Sequence, residues 1–500
     1  MKSSVLSLDQ GTTSSRAVLF DRNCKIIETV KCELKQIYPQ PGWAEQDPMD
    51  LWSTQIRAAR RLIRKHGKSI GAVGIANQRE TTIVWDRHNG KPIYNAIAWQ
   101  CRRTAGIIDR LKSKGLAPHI QETTGLIPDA YFSGPKIKWI LDNVPKAKTK
   151  ARKGELIFGT VDTYLVWKLT GGRVHSTDYS NASRTMLFDI RRGRWDKQLL
   201  DALEIPVDML PEVKSSNDYV GFTDKAVVGR EIPICAVLGD QQAALFGQAC
   251  FTKGSVKNTY GTGSFTLANI GEQPSLSKSG LISTIAWSLD GKITYALEGS
   301  VFIGGAIVQW LREGLGIIGK NSDTELIGRT TADSGGVFFV PALSGLGAPY
   351  WDMYARGMII GITRDTRRNH VVRAALESIC LQTADVVDVM RRTAQIRIRS
   401  LAVDGGAAAN NFLMQLQADL LGLQVERPMI LETTALGASF LAGLTSGVWQ
   451  DMEELRQLRR IGRVFTPAMP RAARLHLRQE WKRAVERCRN WTNPRITNSD

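Results

Sequence analysis

The chain has 500 residues, 43% hydrophobic and 23% charged, the make-up of an ordinary soluble globular protein too long for a single core. Two large domains or three modest ones are expected. No apolar run reaches the roughly 18 residues of a membrane-spanning helix, so a transmembrane segment is excluded, and the N-terminal apolar stretch is too short for a signal peptide. The seven cysteines are scattered with no Cys-x-x-Cys pair, which predicts free thiols in the reducing cytoplasm rather than a disulfide frame. The six histidines form no His-Glu-x-x-His motif, which argues against zinc. A formal charge of +18 could mark a nucleic-acid partner. The basic stretches at Arg391–Arg399 and Arg456–Arg489 carry no regular aromatic spacing, however. The charge therefore reads as a solubilising surface that favours small anionic substrates, with no nucleic acid as partner.

The N-terminus reads as a hairpin. Val5–Leu8 is an apolar strand, Asp9-Gln10-Gly11-Thr12-Thr13-Ser14-Ser15 a polar turn, and Arg16–Phe20 a second strand. Helical periodicity follows over Leu51–Ile63. A strand at Ala72–Ile75 leads into Gln78-Arg79-Glu80, and another at Ile234–Leu238 into Gly239-Asp240-Gln241-Gln242. Near mid-chain the opening unit recurs: Lys257–Tyr260 runs into Gly261-Thr262-Gly263-Ser264 and on to Phe265–Leu267. Helical patterns then cover Gly305–Leu311, Val371–Met390 and Asn411–Leu421. Strands are expected at Val337–Pro341 and Leu401–Val403, the latter entering Asp404-Gly405-Gly406. Strand and helix in alternation, with a turn unit repeated half a chain apart, predict an α/β protein of two related halves.

Both Gly-Thr turns have the composition of a phosphate cradle, because glycine lets backbone N–H groups approach an anion and the hydroxyls add donors. Asp9, just ahead of the first, is placed to hold Mg²⁺ through water. A Walker-type loop is absent, since Gly67-Lys68-Ser69 has Leu62 where the upstream glycine belongs. Gly405-Gly406 with Asn410-Asn411, between a strand and a helix, suits a base and ribose lying on a helix N-terminus. A small polyol needs donor-only and acceptor-only groups around its hydroxyls. Arg79-Glu80 supply both, and Asp240-Gln241 a second clamp, with Asp240 the candidate general base.

Long ordered stretches from about Ser7 to Gly447 resemble the FGGY carbohydrate kinase family, and within it the members that act on glycerol. They include LDQGTTSSRAVLFD, PGWAEQDP, NQRETTIVWD, NASRTMLFDI, GDQQAALFGQ, KNTYGTGSF, YALEGSVFIGGAIVQWLR and VDGGAAANNFLMQLQADLLG. Two general family signatures lie at Tyr131–Asn143 and Gly357–Glu377. The resemblance implies an actin-like ATPase fold of two ribonuclease H-like domains flanking a catalytic cleft, divided here as 1–246 and 247–500. It implies transfer of the ATP γ-phosphoryl group to a terminal glycerol hydroxyl, giving sn-glycerol 3-phosphate and ADP, with ATP and Mg²⁺ required. On matching positions, Thr12, Thr13, Ser14, Arg16 and Thr262 would meet phosphates. Gly305 and Gln309 would line the nucleotide side, with Gly406 and Asn410 at the adenine and ribose. Arg79, Glu80, Tyr131, Asp240 and Gln241 would hold glycerol, with Trp99 and Phe265 against its carbons. A homo-oligomer, dimer or tetramer, is expected. Another FGGY polyol or ketose kinase, or an actin-like ATPase module that is not a kinase, remain the alternatives.

The chain departs from regulated family members in a loop that reads Asp224–Glu231. Gly229 is kept, but Glu231 stands where those members use an arginine to bind fructose 1,6-bisphosphate, with Arg230 one place earlier. On an extended loop that shift turns Arg230 to the opposite side, so little response to the bisphosphate is expected. The segment Pro467–Ala473 lacks the carboxylate that shares a zinc ion with a phosphocarrier in enteric members.

Overall fold

A computed structural model describes residues 3–276 and 279–492. The N-terminal hairpin forms as β1 (Ser4–Gln10) and β2 (Ser14–Asp21), followed by β3 (Ile26–Glu33). Helix α1 (Pro48–His66) begins where Asp47 accepts a hydrogen bond from Met49 N at 2.8 Å and Pro48 occupies the first turn. Its Leu51, Ala58, Leu62 and Ile63 are buried on one face, which lies on β2 and β3. The sheet is completed by β4 (Ile70–Asn77), β5 (Pro233–Gly239) and a short edge strand, Gly221–Phe222; α2 (Asp240–Gly247) continues directly from β5. Strand β1 is buried along its whole length and pairs antiparallel with β2 and parallel with β4. Such a central strand is covered on both faces, apolar at Val5, Leu6 and Leu8 and polar where it ends at Asp9 and Gln10.

The second half repeats the plan. Its strands are β6 (Val256–Tyr260), β7 (Ser264–Gly271), β8 (Ile282–Leu289) and β9 (Lys292–Val301). Then come α3 (Ala306–Glu313), α4 (Arg368–Ala394), β10 (Ser400–Asp404), α5 (Asn411–Leu421), β11 (Gln424–Pro428), α6 (Thr433–Thr445) and β12 (Ile461–Phe465). The core orders β3-β2-β1-β4-β5 and β9-β7-β6-β10-β11 are the same arrangement twice, antiparallel hairpins first and parallel strands after. The repeated Gly-Thr turns therefore sit at equivalent places. The expected strand at Val337–Pro341 is present as Phe338–Val340, but it pairs with Met358–Ile360 outside the main sheet.

Helix α6, from the second half of the chain, packs on β1, β4 and β5 of the first half and on α2. Glycines permit it. A Cβ on Gly437 would lie 1.8 Å from the Ala243 carbonyl oxygen, and one on Gly74 2.2 Å from that of Ala438. The carboxyl ends of β1, β4 and β5 open on the same edge, as do those of β6 and β10, and ligands of open α/β sheets bind at such edges.

Candidate active site

Five charged side chains, four of them buried, converge where β4 and β5 end. Arg79, 2% exposed, donates from Nη1 and Nη2 to Glu298 of β9 at 2.5 and 2.9 Å, and from Nη1 to Gln242 at 3.2 Å. Arg184 donates from Nε to Glu80 at 2.6 Å and from Nη2 to Glu298 at 3.1 Å. Burial alone would raise the Glu298 carboxyl, but two guanidiniums and the Ser300 hydroxyl override it and hold it at about 2. Burial raises Glu80 and the two arginines oppose that rise. Glu80 also has a φ of 59°, the left-handed region, which costs a non-glycine residue roughly 1–3 kcal/mol and persists only where the surroundings enforce it. Two of those enforcing contacts are visible: buried Ser133 Oγ and Lys136 Nζ each donate to the Glu80 carbonyl at 3.1 Å. Lys136 also donates to the Tyr131 carbonyl at 2.6 Å, and burial lowers its ammonium to about 7.

Asp240 is the open member of the group, with a quarter of its side chain exposed. Its Oδ1 accepts from Gln241 N at 2.8 Å and lies 3.3 Å from Arg79 Nε; its Oδ2 accepts from Gln241 Nε2 at 3.2 Å. Burial raises its carboxyl, and Arg79 and Lys257 work against that rise. Gly239 is required here, because a Cβ would come within 2.8 Å of Arg79 Cγ. The aromatic rings form a wall beside these groups. Trp99 meets Tyr131 and Phe265 edge-on at 5.8 and 5.9 Å between centroids, and Arg79 lies 5.9 Å from the Phe265 ring. All seven residues expected to contact the polyol thus gather at one place. Arg79, read from sequence as a donor to substrate, is first a tie to Glu298. Arg184, Glu298, Gln242, Lys136 and Lys257 belong to the same cluster, and residue spacing does not reveal them.

The first turn adjoins this wall, since Trp99 Nε1 donates to Thr12 Oγ1 at 3.0 Å. Thr13 is exposed, Ser14 is buried at the start of β2, and Arg16 faces Asp9 across the hairpin at 2.8 Å while also pairing with Glu432. In the second turn Gly263 is small because a Cβ would lie 2.5 Å from the Val301 carbonyl oxygen. The Gly261 and Thr262 carbonyls accept from the N–H groups of Gly304, Gly305 and Ala306, which fixes the turn to the start of α3. Neither Gly11, Gly261 nor Gly263 needs a positive φ. Gly305, Gln309, Gly406, Asn410 and Thr262 line one cavity of about 480 Å³. Asn410 Oδ1 caps α5 at Leu413 N, and the Gln309 amide is turned to Glu313. Thr262 also lines the cleft of about 920 Å³ that holds Trp99, Tyr131 and Phe302, so it joins the two spaces.

Away from the cleft, Arg230 lines a basic cavity of about 450 Å³ with Arg60, Arg64 and Lys225, and Glu231 does not. The premise of an extended loop, on which the expectation for Arg230 rests, is not met. Gly229, at φ 82°, ends a short helix and reverses the chain, so the alternation of an extended loop does not apply.

A family model described as the FGGY family of carbohydrate kinases, N-terminal domain, matches residues 4–247, and its C-terminal counterpart matches 256–446. The chain is 60% identical over 490 residues to glycerol kinase 2 of Thermotoga maritima, covering 97% of this chain and 99% of that protein. It is 58% identical to the glycerol kinase of Caldanaerobacter subterraneus subsp. tengcongensis, at the same coverage. Among solved structures, Plasmodium falciparum glycerol kinase with ADP superposes with a TM-score of 0.90 at 37% identity, over 97% of this chain and 98% of that one. A ligand-bound xylulose kinase from Lactobacillus acidophilus, 23% identical over the same shares of the two chains, shares the fold with a TM-score of 0.87.

Proposed function

The chain belongs to the FGGY family of carbohydrate kinases, and from that membership we propose that it transfers the γ-phosphoryl group of ATP to a terminal hydroxyl of glycerol, giving sn-glycerol 3-phosphate and ADP. Its fold is the actin-like ATPase fold, and kinase activity sets aside the reading as an actin-like ATPase module that is not a kinase. One observation carries the choice of acceptor. A partly open carboxylate, Asp240, lies beside a buried Arg–Glu cluster and an aromatic wall, which together supply donors and acceptors for polyol hydroxyls next to rings for its carbons.

In this reading Asp240 accepts the proton of the attacking hydroxyl, the task a carboxylate performs in other phosphoryl transfers. Arg79, Glu80, Tyr131 and Gln241 orient the polyol hydroxyls, and Trp99 and Phe265 cover its carbons and exclude water. Thr12, Thr13, Ser14, Arg16 and Thr262 meet the phosphates; Gly305, Gln309, Gly406 and Asn410 hold the nucleoside. Residues 1–246 form the domain carrying most of the polyol site and 247–500 the nucleotide domain. Asp9 suits Mg²⁺ held through water. Its buried Oδ2 is ion-paired with Arg16 Nη2 at 2.8 Å but outside hydrogen-bond geometry, and one carboxylate with phosphates and waters is the donor set that ion takes. Bound there, Mg²⁺ would offset the negative charge of the phosphates. A cytoplasmic homo-oligomer completes the proposal; the seven cysteines, all free, suit a reducing compartment.

The test is product analysis. Purified protein with ATP, Mg²⁺ and glycerol should release ADP in step with a phosphomonoester on a terminal carbon, read by phosphorus NMR. ADP release that does not depend on glycerol would contradict the reading.

A further inference from the structure

Lys257 stands apart from the residues the proposed reaction uses. It lies on β6 in the second half, fully buried, and its Nζ donates to Gln241 Oε1 at 2.6 Å and to Thr259 Oγ1 at 2.8 Å. Gln241 in turn donates from Nε2 to Asp240 Oδ2 at 3.2 Å. An ammonium can only donate, so it compels the amide oxygen to face it. The amide nitrogen must then face Asp240. We propose that Lys257 is a positioning residue that sets the orientation of the Gln241 amide, and through it the protonation state and open face of the catalytic carboxylate Asp240.

The inference rests on the proposed phosphoryl transfer and deepens it. The relay runs from the strand that ends in the second Gly-Thr turn to the base on the opposite half. Correct docking of the two halves is thereby coupled to a competent base. Without the ammonium the amide is free to flip, and an amide oxygen against Asp240 favours the protonated acid. The groups facing Lys257 include Asp404, Arg79, Asp240 and Glu298; those facing Asp240 include Arg79, Lys257, Gln241, Asp9 and Arg16. Burial lowers the Lys257 ammonium to about 8, so it is charged at neutral pH. A base works when deprotonated, so raising its pKa moves the acidic limb of the rate profile to higher pH.

Lys257→Met should move the acidic limb of kcat/KM for glycerol upward by about one pH unit, the scale expected on removing a nearby opposite charge. Activity at pH 6 should fall more than activity at pH 8, with the ATP KM unchanged. Gln241→Met, which removes the amide, should move the same limb in the same direction. The double variant should shift the limb by less than the sum of the two single shifts, because the part that acts through the amide is shared while the direct attraction of the Lys257 charge is not. The Gln241→Met profile decides the matter even if Lys257→Met does not fold. An acidic limb that stays in place in Gln241→Met, or a Lys257→Met loss uniform across pH, would overturn the relay. A wild-type protein that turns over another polyol but not glycerol would defeat the substrate reading alone, and the limb would then be read on that polyol.

Discussion

The two ends of the cleft are built on the same hairpin and turn, yet they are opposite in character. At the acceptor end, Arg79, Arg184, Glu80 and Glu298 have side chains no more than 2% exposed and are interlocked. At the proposed nucleotide end the wall is small and nearly uncharged: Gly305, Ala306, Gly406, Ala407 and Ala409 line an open cavity, with Glu325 the charged residue among its lining. A flexible three-carbon polyol offers little surface, so recognising it requires a rigid, desolvated array of donors and acceptors. A nucleotide is large and brings its own charge, so its site needs room and backbone proximity. Repeating one turn therefore produced two different sites, because the residues behind each turn differ.

The strongest break in that comparison is Asp240→Asn. Removing a general base costs about 10²–10⁴-fold in rate, and kcat should fall by that order while nucleotide affinity, measured by calorimetry, stays near wild type. Next in size is Glu298→Gln. Leaving two buried guanidiniums without their shared counter-charge should cost roughly 3–5 kcal/mol of stability, read from a denaturant titration. Its counterpart Glu313→Gln, in an exposed pair with Arg312, should leave the midpoint unmoved.

Arg79→Ala comes third. Charge-assisted bonds contribute on the order of 1.5–3 kcal/mol, so the glycerol KM should rise about tenfold or more while the ATP KM changes little. Because Arg79 also neutralises Glu298, the variant should unfold earlier than wild type. Equal changes in both constants would mean that the two ends are not separate sites.

The smallest effect sharpens the contrast. A Cβ on Gly406 meets nothing within 4 Å, so Gly406→Ala should keep its stability while the ATP KM rises by about tenfold, as an added methyl takes space on the cavity floor. Gly437→Ala, where the Cβ would lie 1.8 Å from a carbonyl oxygen, should do the reverse and destabilise with the KM unchanged.

The secondary-structure elements and the turns were far more legible in the sequence than the buried ion cluster behind the acceptor site. Strands at Val5–Leu8 and Ile234–Leu238 and the helix at Asn411–Leu421 follow from local periodicity, and each is present with bounds the same or a few residues wider. The Gly-Thr repeat marks equivalent hairpins because turn chemistry is local. Glu298 and Arg184 have no such signal. Glu298 meets Arg79 across 219 residues of chain, and only the docking of β9 against the end of β4 brings them together. Residue patterns report neighbours along an element, whereas a buried ion cluster is assembled by topology. The same limit explains Arg230, whose direction depends on the left-handed Gly229 and not on alternation.

The central claim is that the Arg79–Glu298 cluster shapes a pocket for glycerol. It is tested most directly by kcat/KM from ADP release with glycerol, dihydroxyacetone, xylulose and gluconate. The account predicts that glycerol leads the panel and that xylulose and gluconate fall at least about a hundredfold behind, because larger or charged acceptors leave buried polar groups mismatched. Xylulose or gluconate turned over as well as glycerol would contradict it.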